Sequence, residues 1–141
     1  MTEKRLVRQK LNKLTENLNQ LKKIEEYSFE EYQDNFFIKR TAERLLQLIV
    51  ETATDINGHI LVEEKQSAPD SYYDSFIKLG EARVISQNLA EELAPSAGLR
   101  NRLVHEYDEI KDEIIYKTIT KAIDQYEQYV QEIHEHLKIQ N

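Results

Sequence analysis

The sequence predicts an all-α protein, an antiparallel bundle of four to five helices, and three observations predict it. Glycine and proline are scarce, three and two residues in 141, so few positions interrupt a helix. No alternating run of β-branched residues marks a strand. Apolar residues recur instead at intervals of three and four along four stretches, the spacing that places them on one helix face.

The first stretch, Val7, Leu11, Leu14, Leu18 and Leu21, carries one narrow stripe suited to a core or a dimer seam. The second runs Ile38, Ala42, Leu45, Ile49, Ala53, Ile56 and Ile60, with Phe29, Tyr32 and Phe36 leading into it. The third covers Tyr73, Ile77, Gly80 and Val84 and resumes as Leu89, Leu93, Leu103, Val104 and Tyr107. The fourth is Ile115, Ile119, Ala122, Tyr126, Val130, Ile133 and Leu137. Between the second and third, EEKQSAPDS at 63–71 is polar and holds Pro69, and Asp70 or Ser71 is placed to cap the next helix. Ser86 caps the segment after Val84 and Ile85, and Pro95, lacking a donor N–H, starts a new helical turn or kinks the existing one. Residues 108–112 make the last corner.

The length suits a single domain, 1–141. There is no cysteine, which excludes a disulfide framework, a thiolate metal site and a thiol nucleophile. The N-terminus, MTEKRLVRQKLNKL, has neither the apolar core of a signal peptide nor a membrane span, so a cytoplasmic protein with no membrane contact is expected. With 26 acidic against 19 basic residues the net charge is −7, so nucleic acid is repelled at long range and any RNA contact requires a local basic cluster. Eight tyrosines and four phenylalanines exceed what one thin bundle readily buries and point to a homodimer.

Chemistry concentrates in GLRNRLVHEYDEI, residues 98–110. On a helical wheel Leu103, Val104 and Tyr107 fall within about 60° of Arg100, so a guanidinium sits on the apolar face. Asn101 and His105 share another face, with Arg102 beside His105. A charge so placed needs a partner or water. Two accounts follow, and spacing does not choose between them. Arg100 snorkels or bridges to a carboxylate of the long helix, Glu43, Glu51 or Asp55. Alternatively, Arg100 and His105 converge on a phosphate, the arginine neutralising it and the histidine moving protons near neutral pH. Those two roles are what cleavage of RNA without a metal requires.

The pattern R-N-x-L-V-H-x-Y, formed by Arg100, Asn101, Leu103, Val104, His105 and Tyr107 and followed by Asp108, resembles the signature of HepT-type toxins of the HEPN superfamily. Gly98 just before it, the stretch S-Y-Y-D-S-F at 71–76 and the chain length fit the same family, and the resemblance covers nearly the whole chain. It implies a HEPN-like bundle that dimerises so that two motifs line one cleft. It further implies a metal-independent endoribonuclease acting on tRNA or mRNA, with Arg100 and His105 as the catalytic pair, Asn101 and Arg102 in support, and no cofactor. A cognate nucleotidyltransferase antitoxin would transfer AMP to Tyr107. The wheel sets Tyr107 about 10 Å along the axis from Arg100 on nearly the same face, so AMP there places a bulky anion where an RNA phosphate must bind.

An alternative from another class is a non-catalytic helical partner subunit of a nucleotidyltransferase, binding a nucleotide phosphate through the same residues. Lys39, Arg40, Arg44, Lys78 and Arg83 are the further cations available to make a cleft positive. His59, four residues after Asp55, is read as a helix end beside Gly58 in preference to a metal ligand. His134 and His136 alternate near the C-terminus and are expected in solvent, as are Glu63, Glu64, Glu91 and Glu92.

Overall fold

The computed structural model describes residues 2–105 and 110–139. Seven helices and no strand occur among them: α1 Thr2–Glu25, α2 Phe29–Asp34, α3 Phe36–Glu63, α4 Tyr72–Glu81, α5 Gln87–Leu93, α6 Ser96–His105 and α7 Asp112–Ile139. The predicted bundle is present, more finely divided than its four apolar runs. Cap chemistry explains the divisions. Ser28 and Glu31 form a reciprocal capping box at the start of α2, and Asn35 then caps α3 by accepting from the Ile38 amide at 3.1 Å. Of the two candidates before α4, Ser71 is the cap. Ser86 caps α5, and Pro95 falls in the break from which α6 starts.

The three long helices set the frame. Lys10 of α1 pairs with Asp55 of α3 at 2.6 Å. Lys22 pairs with Glu127, and the carbonyl of Tyr27, just past α1, accepts from the Tyr116 hydroxyl at 2.6 Å. Residue numbers on α7 therefore fall as those on α1 rise. Lys39 meets Asp112 and Ala53 meets Tyr129, so α7 runs beside α3 in the same direction, the chain having been turned back through α4, α5 and α6.

The α1 stripe is core: Leu11, Leu14 and Leu21 are fully buried. So are Ile49 and Ile56 of α3 and Tyr129 and Ile133 of α7. Phe76, Tyr126 and Tyr129 pack edge to face with centroids 5.8–6.4 Å apart. A buried polar chain crosses this core, in which Asn57 donates to Ser75 Oγ at 3.0 Å and accepts from the Tyr129 hydroxyl at 2.5 Å. It fixes α4 against α3 and α7.

The third apolar run is shifted by its tertiary partners. Phe76 and Leu79 carry the buried face of α4, and Tyr73 lies 51% exposed. Gly80 packs so closely on α5 that a Cβ there would lie 2.7 Å from the Ala90 Cβ. The long helix α3 continues through Gly58 and His59 to Glu63, so His59 does not end it. His134 is exposed as expected. His136 is not, because its side chain is only 14% exposed and its Nε2 sits 3.7 Å from the Glu64 carboxylate.

Candidate active site

The short helix α6 carries the motif, and its packing follows from a weakly amphipathic sequence. Ala97 alone is buried, Leu99 and Leu103 are partly covered, and Val104 is 36% exposed. The apolar face that the wheel assigns to Arg100 is thus largely at the surface. The helix is tied down at its start, where Ser96 Oγ donates to the Leu93 carbonyl at 2.6 Å and meets the buried Tyr126 hydroxyl at 2.7 Å.

One turn later Arg100 reaches α3. Its Nε donates to Glu51 Oε2 at 2.9 Å, its Nη2 forms an ion pair with the same oxygen at 2.7 Å, and Nη1 donates to Asn101 Oδ1 at 3.2 Å. The guanidinium carbon lies 4.9 Å from the centre of the Tyr72 ring of α4. Of the carboxylates the sequence offers, Glu51 is the one engaged: Asp55 pairs with Lys10 and Glu43 with Arg40. Glu51 also accepts from Gln47 Nε2 at 3.1 Å. Burial by itself would push its carboxyl up, but hydrogen bonds from Arg100 and Gln47 and the charges of Arg100 and Arg44 outweigh that and hold it below the usual carboxylate range. Glu51, Thr54, Asp55, Tyr72 and Arg100 line an open pocket of about 340 Å³.

Asn101 and Arg102 are exposed, and so is His105, the last described residue of α6. Arg100 and His105 are five residues apart, which on an α-helix is about 140° of rotation, so one α6 does not aim both at one point. Tyr107 and Asp108 lie outside the described residues. Of the further cations, Arg44 acts on Glu51, but the other four are engaged elsewhere. Lys39 is paired with Asp112, Arg40 with Glu43, and Lys78 with Ser67 and Asp74. Arg83 lines a different pocket with Glu132 and His136.

Two site residues have weaker sequence signals. Tyr72 belongs to the S-Y-Y-D-S-F stretch, but its contact with Arg100 joins helices distant in sequence. Gln47 stands one turn before Glu51 on α3, a spacing that suits the observed bond.

The chain as a whole is similar to known proteins. The family described as Ribonuclease HepT-like matches residues 14–133. A relative from Aphanizomenon flos-aquae, named tRNA nuclease HepT, is 40% identical over 94% of this chain and 90% of its own. One from Shewanella oneidensis, named mRNA nuclease HepT, is 29% identical over 71% of this chain and 75% of its own. The structure of a tri-AMPylated Shewanella oneidensis HEPN toxin in complex with its MNT antitoxin superposes with a TM-score of 0.84 at 24% identity, covering 92% of this chain and 96% of that one. At that identity the superposition establishes the common fold.

Proposed function

The chain belongs to the ribonuclease HepT-like family, and from that membership we propose that it is a toxin that cuts RNA without a metal and is silenced by a cognate nucleotidyltransferase antitoxin. The observation that carries this reading is Arg100, oriented at an open pocket by side chains from α3 and α4, on the same exposed helix as His105. In the reaction His105 takes the proton of the ribose 2′-OH, the 2′ oxygen attacks phosphorus to close a 2′,3′-cyclic phosphate, and the P–O5′ bond breaks as the 5′ oxygen takes a proton from water and leaves as a hydroxyl. Arg100 stabilises the charge that builds on phosphorus. Asn101 steadies the guanidinium through its 3.2 Å contact, and Arg102 adds positive charge at the rim.

Because Arg100 and His105 diverge around α6, the site is completed by a second copy whose α6 faces the first across a cleft. The exposed Val104 and partly covered Leu99 and Leu103 supply an apolar strip for that homodimer. Residues 1–141 act as one domain in the cytoplasm, with tRNA or mRNA as substrate and no cofactor. AMP transferred to Tyr107 would bring an anion to the cleft and compete with RNA phosphate for Arg100.

A second reading is a non-catalytic partner subunit of a nucleotidyltransferase. It is favoured by the observation that Glu51 already balances the charge of Arg100. Incubation with tRNA and mRNA in EDTA separates the two. The wild type should cut, and His105→Ala and Arg100→Ala should each lose roughly 10²- to 10⁴-fold. Equal integrity of the RNA with all three proteins would refute the nuclease. Mass spectrometry after co-expression with the antitoxin should place the added AMP on Tyr107, and AMP on another residue would overturn that assignment.

A further inference from the structure

We propose that Glu51 and Tyr72 are positioning residues for Arg100, setting which of its N–H groups face the scissile phosphate; the role rests on the reading of Arg100 as the cation of the cleavage step. A guanidinium carries five N–H bonds in a rigid plane. Glu51 Oε2 accepts the one on Nε and lies 2.7 Å from Nη2 as an ion pair, and Asn101 accepts one on Nη1. Among the described residues this leaves N–H groups on Nη1 and Nη2 to meet a phosphate. The guanidinium carbon lies over the Tyr72 ring, 4.9 Å from its centre, so the group is held by an aromatic contact as well as by its polar partners.

The clamp is built from the core outward. Gln47 fixes Glu51 from one turn back on α3. Tyr72 opens α4, its carbonyl accepts from Ser75 Oγ at 2.7 Å, and Ser75 is bound in turn to buried Asn57. With side chains 18% and 29% exposed, Arg100 and Glu51 are better shielded than an ordinary surface pair, so rotamer exchange is restricted.

The consequence for kinetics is specific. A guanidinium already neutralised by a carboxylate attracts ground-state RNA weakly, but pre-aimed N–H groups act on the charge that grows in the transition state. Loss of Glu51 should therefore lower kcat and leave KM equal or smaller. Misplacement of such a group by about 1 Å typically costs up to 10²-fold, so Glu51→Ala should reduce kcat roughly 10- to 100-fold. Glu51→Gln, whose amide oxygen still accepts from Nε, should recover most of that, and Tyr72→Ala should show a smaller fall.

The test combines steady-state RNA cleavage by the full chain with 15N NMR of the Arg100 Nε–H. That resonance should exchange slowly in wild type and Glu51→Gln and be lost from the spectrum in Glu51→Ala. Wild-type kcat in Glu51→Ala, or a raised KM with kcat unchanged, overturns the positioning role while leaving the nuclease intact. If Glu51→Ala does not fold, Tyr72→Ala decides the matter by the same kinetic split and the same resonance. A wild type that leaves RNA uncut overturns the nuclease reading and this role together.

Discussion

Replacing Ser96 with alanine removes the pin between α6 and α7. The Tyr126 hydroxyl is 1% exposed at the residue level and has Ser96 Oγ at 2.7 Å as its partner. Without it a buried O–H is left unsatisfied, at a cost of about 1–3 kcal/mol. For a chain of this length unfolding entropy of about 2 cal/mol/K per residue makes 1 kcal/mol worth about 3 °C in Tm. Ser96→Ala should therefore lower Tm by roughly 3–10 °C. Tyr126→Phe is milder, because Ser96 Oγ keeps its bond to the Leu93 carbonyl. The double variant Ser96→Ala, Tyr126→Phe should be no less stable than Ser96→Ala alone, since removing both partners leaves nothing unsatisfied. Circular dichroism melting of all four proteins, checked by urea titration, measures this. A double variant that loses the sum of the single losses, or a Ser96→Ala protein with wild-type Tm, would refute the argument that a buried hydroxyl anchors the motif helix.

Two glycines should respond oppositely to alanine. At Gly80 the new Cβ would meet the Ala90 Cβ at 2.7 Å, costing about 1–3 kcal/mol through separation of α4 from α5, whereas at Gly98, with nothing within 4 Å, alanine should add roughly 0.5–1 kcal/mol of helix stability; chemical denaturation distinguishes a loss from a gain. Alkaline pH should unfold the protein. Burial pushes the phenols of Tyr126 and Tyr129 well above their usual range, the Ser96 hydrogen bond offsetting part of the effect at Tyr126 and the neighbouring Tyr126 reinforcing it at Tyr129. The unfolded chain then releases these protons from about pH 10 while the folded chain keeps them. Stability is intact below that pH and falls as pH rises above it, and Tyr126→Phe should make the decline shallower in pH-dependent melting curves.

Much of this molecule is readable in the linear pattern. The stripe of α1 is buried residue for residue, and the caps at Ser71 and Ser86 and the break at Pro95 lie where turn chemistry puts them. Those features are local, fixed by periodicity and by side chains bonding backbone two or three residues away. The wheel also isolates Arg100 as a charge in need of a partner, with Glu51 among its named candidates. The errors have a common source. Spacing puts Tyr73 in the core and His136 in solvent, yet burial along α4 and the end of α7 depends on which neighbour arrives: Phe76 turns to the tyrosines of α7, and His136 is covered beside Glu64.

By itself the sequence determined an all-helical bundle, its cap positions, most of the core and the motif through which family membership is recognised, because all of these depend on residues close together in the chain. Only the tertiary structure decided that Arg100 meets Glu51 and not Glu43 or Asp55, and that it lies over the Tyr72 ring. Those contacts join α3, α4 and α6 across 49 and 28 positions of sequence, 100 − 51 and 100 − 72. Which turn of a long helix faces a distant arginine is set by how the core side chains seat the helices against one another, and no spacing along a single helix contains that information.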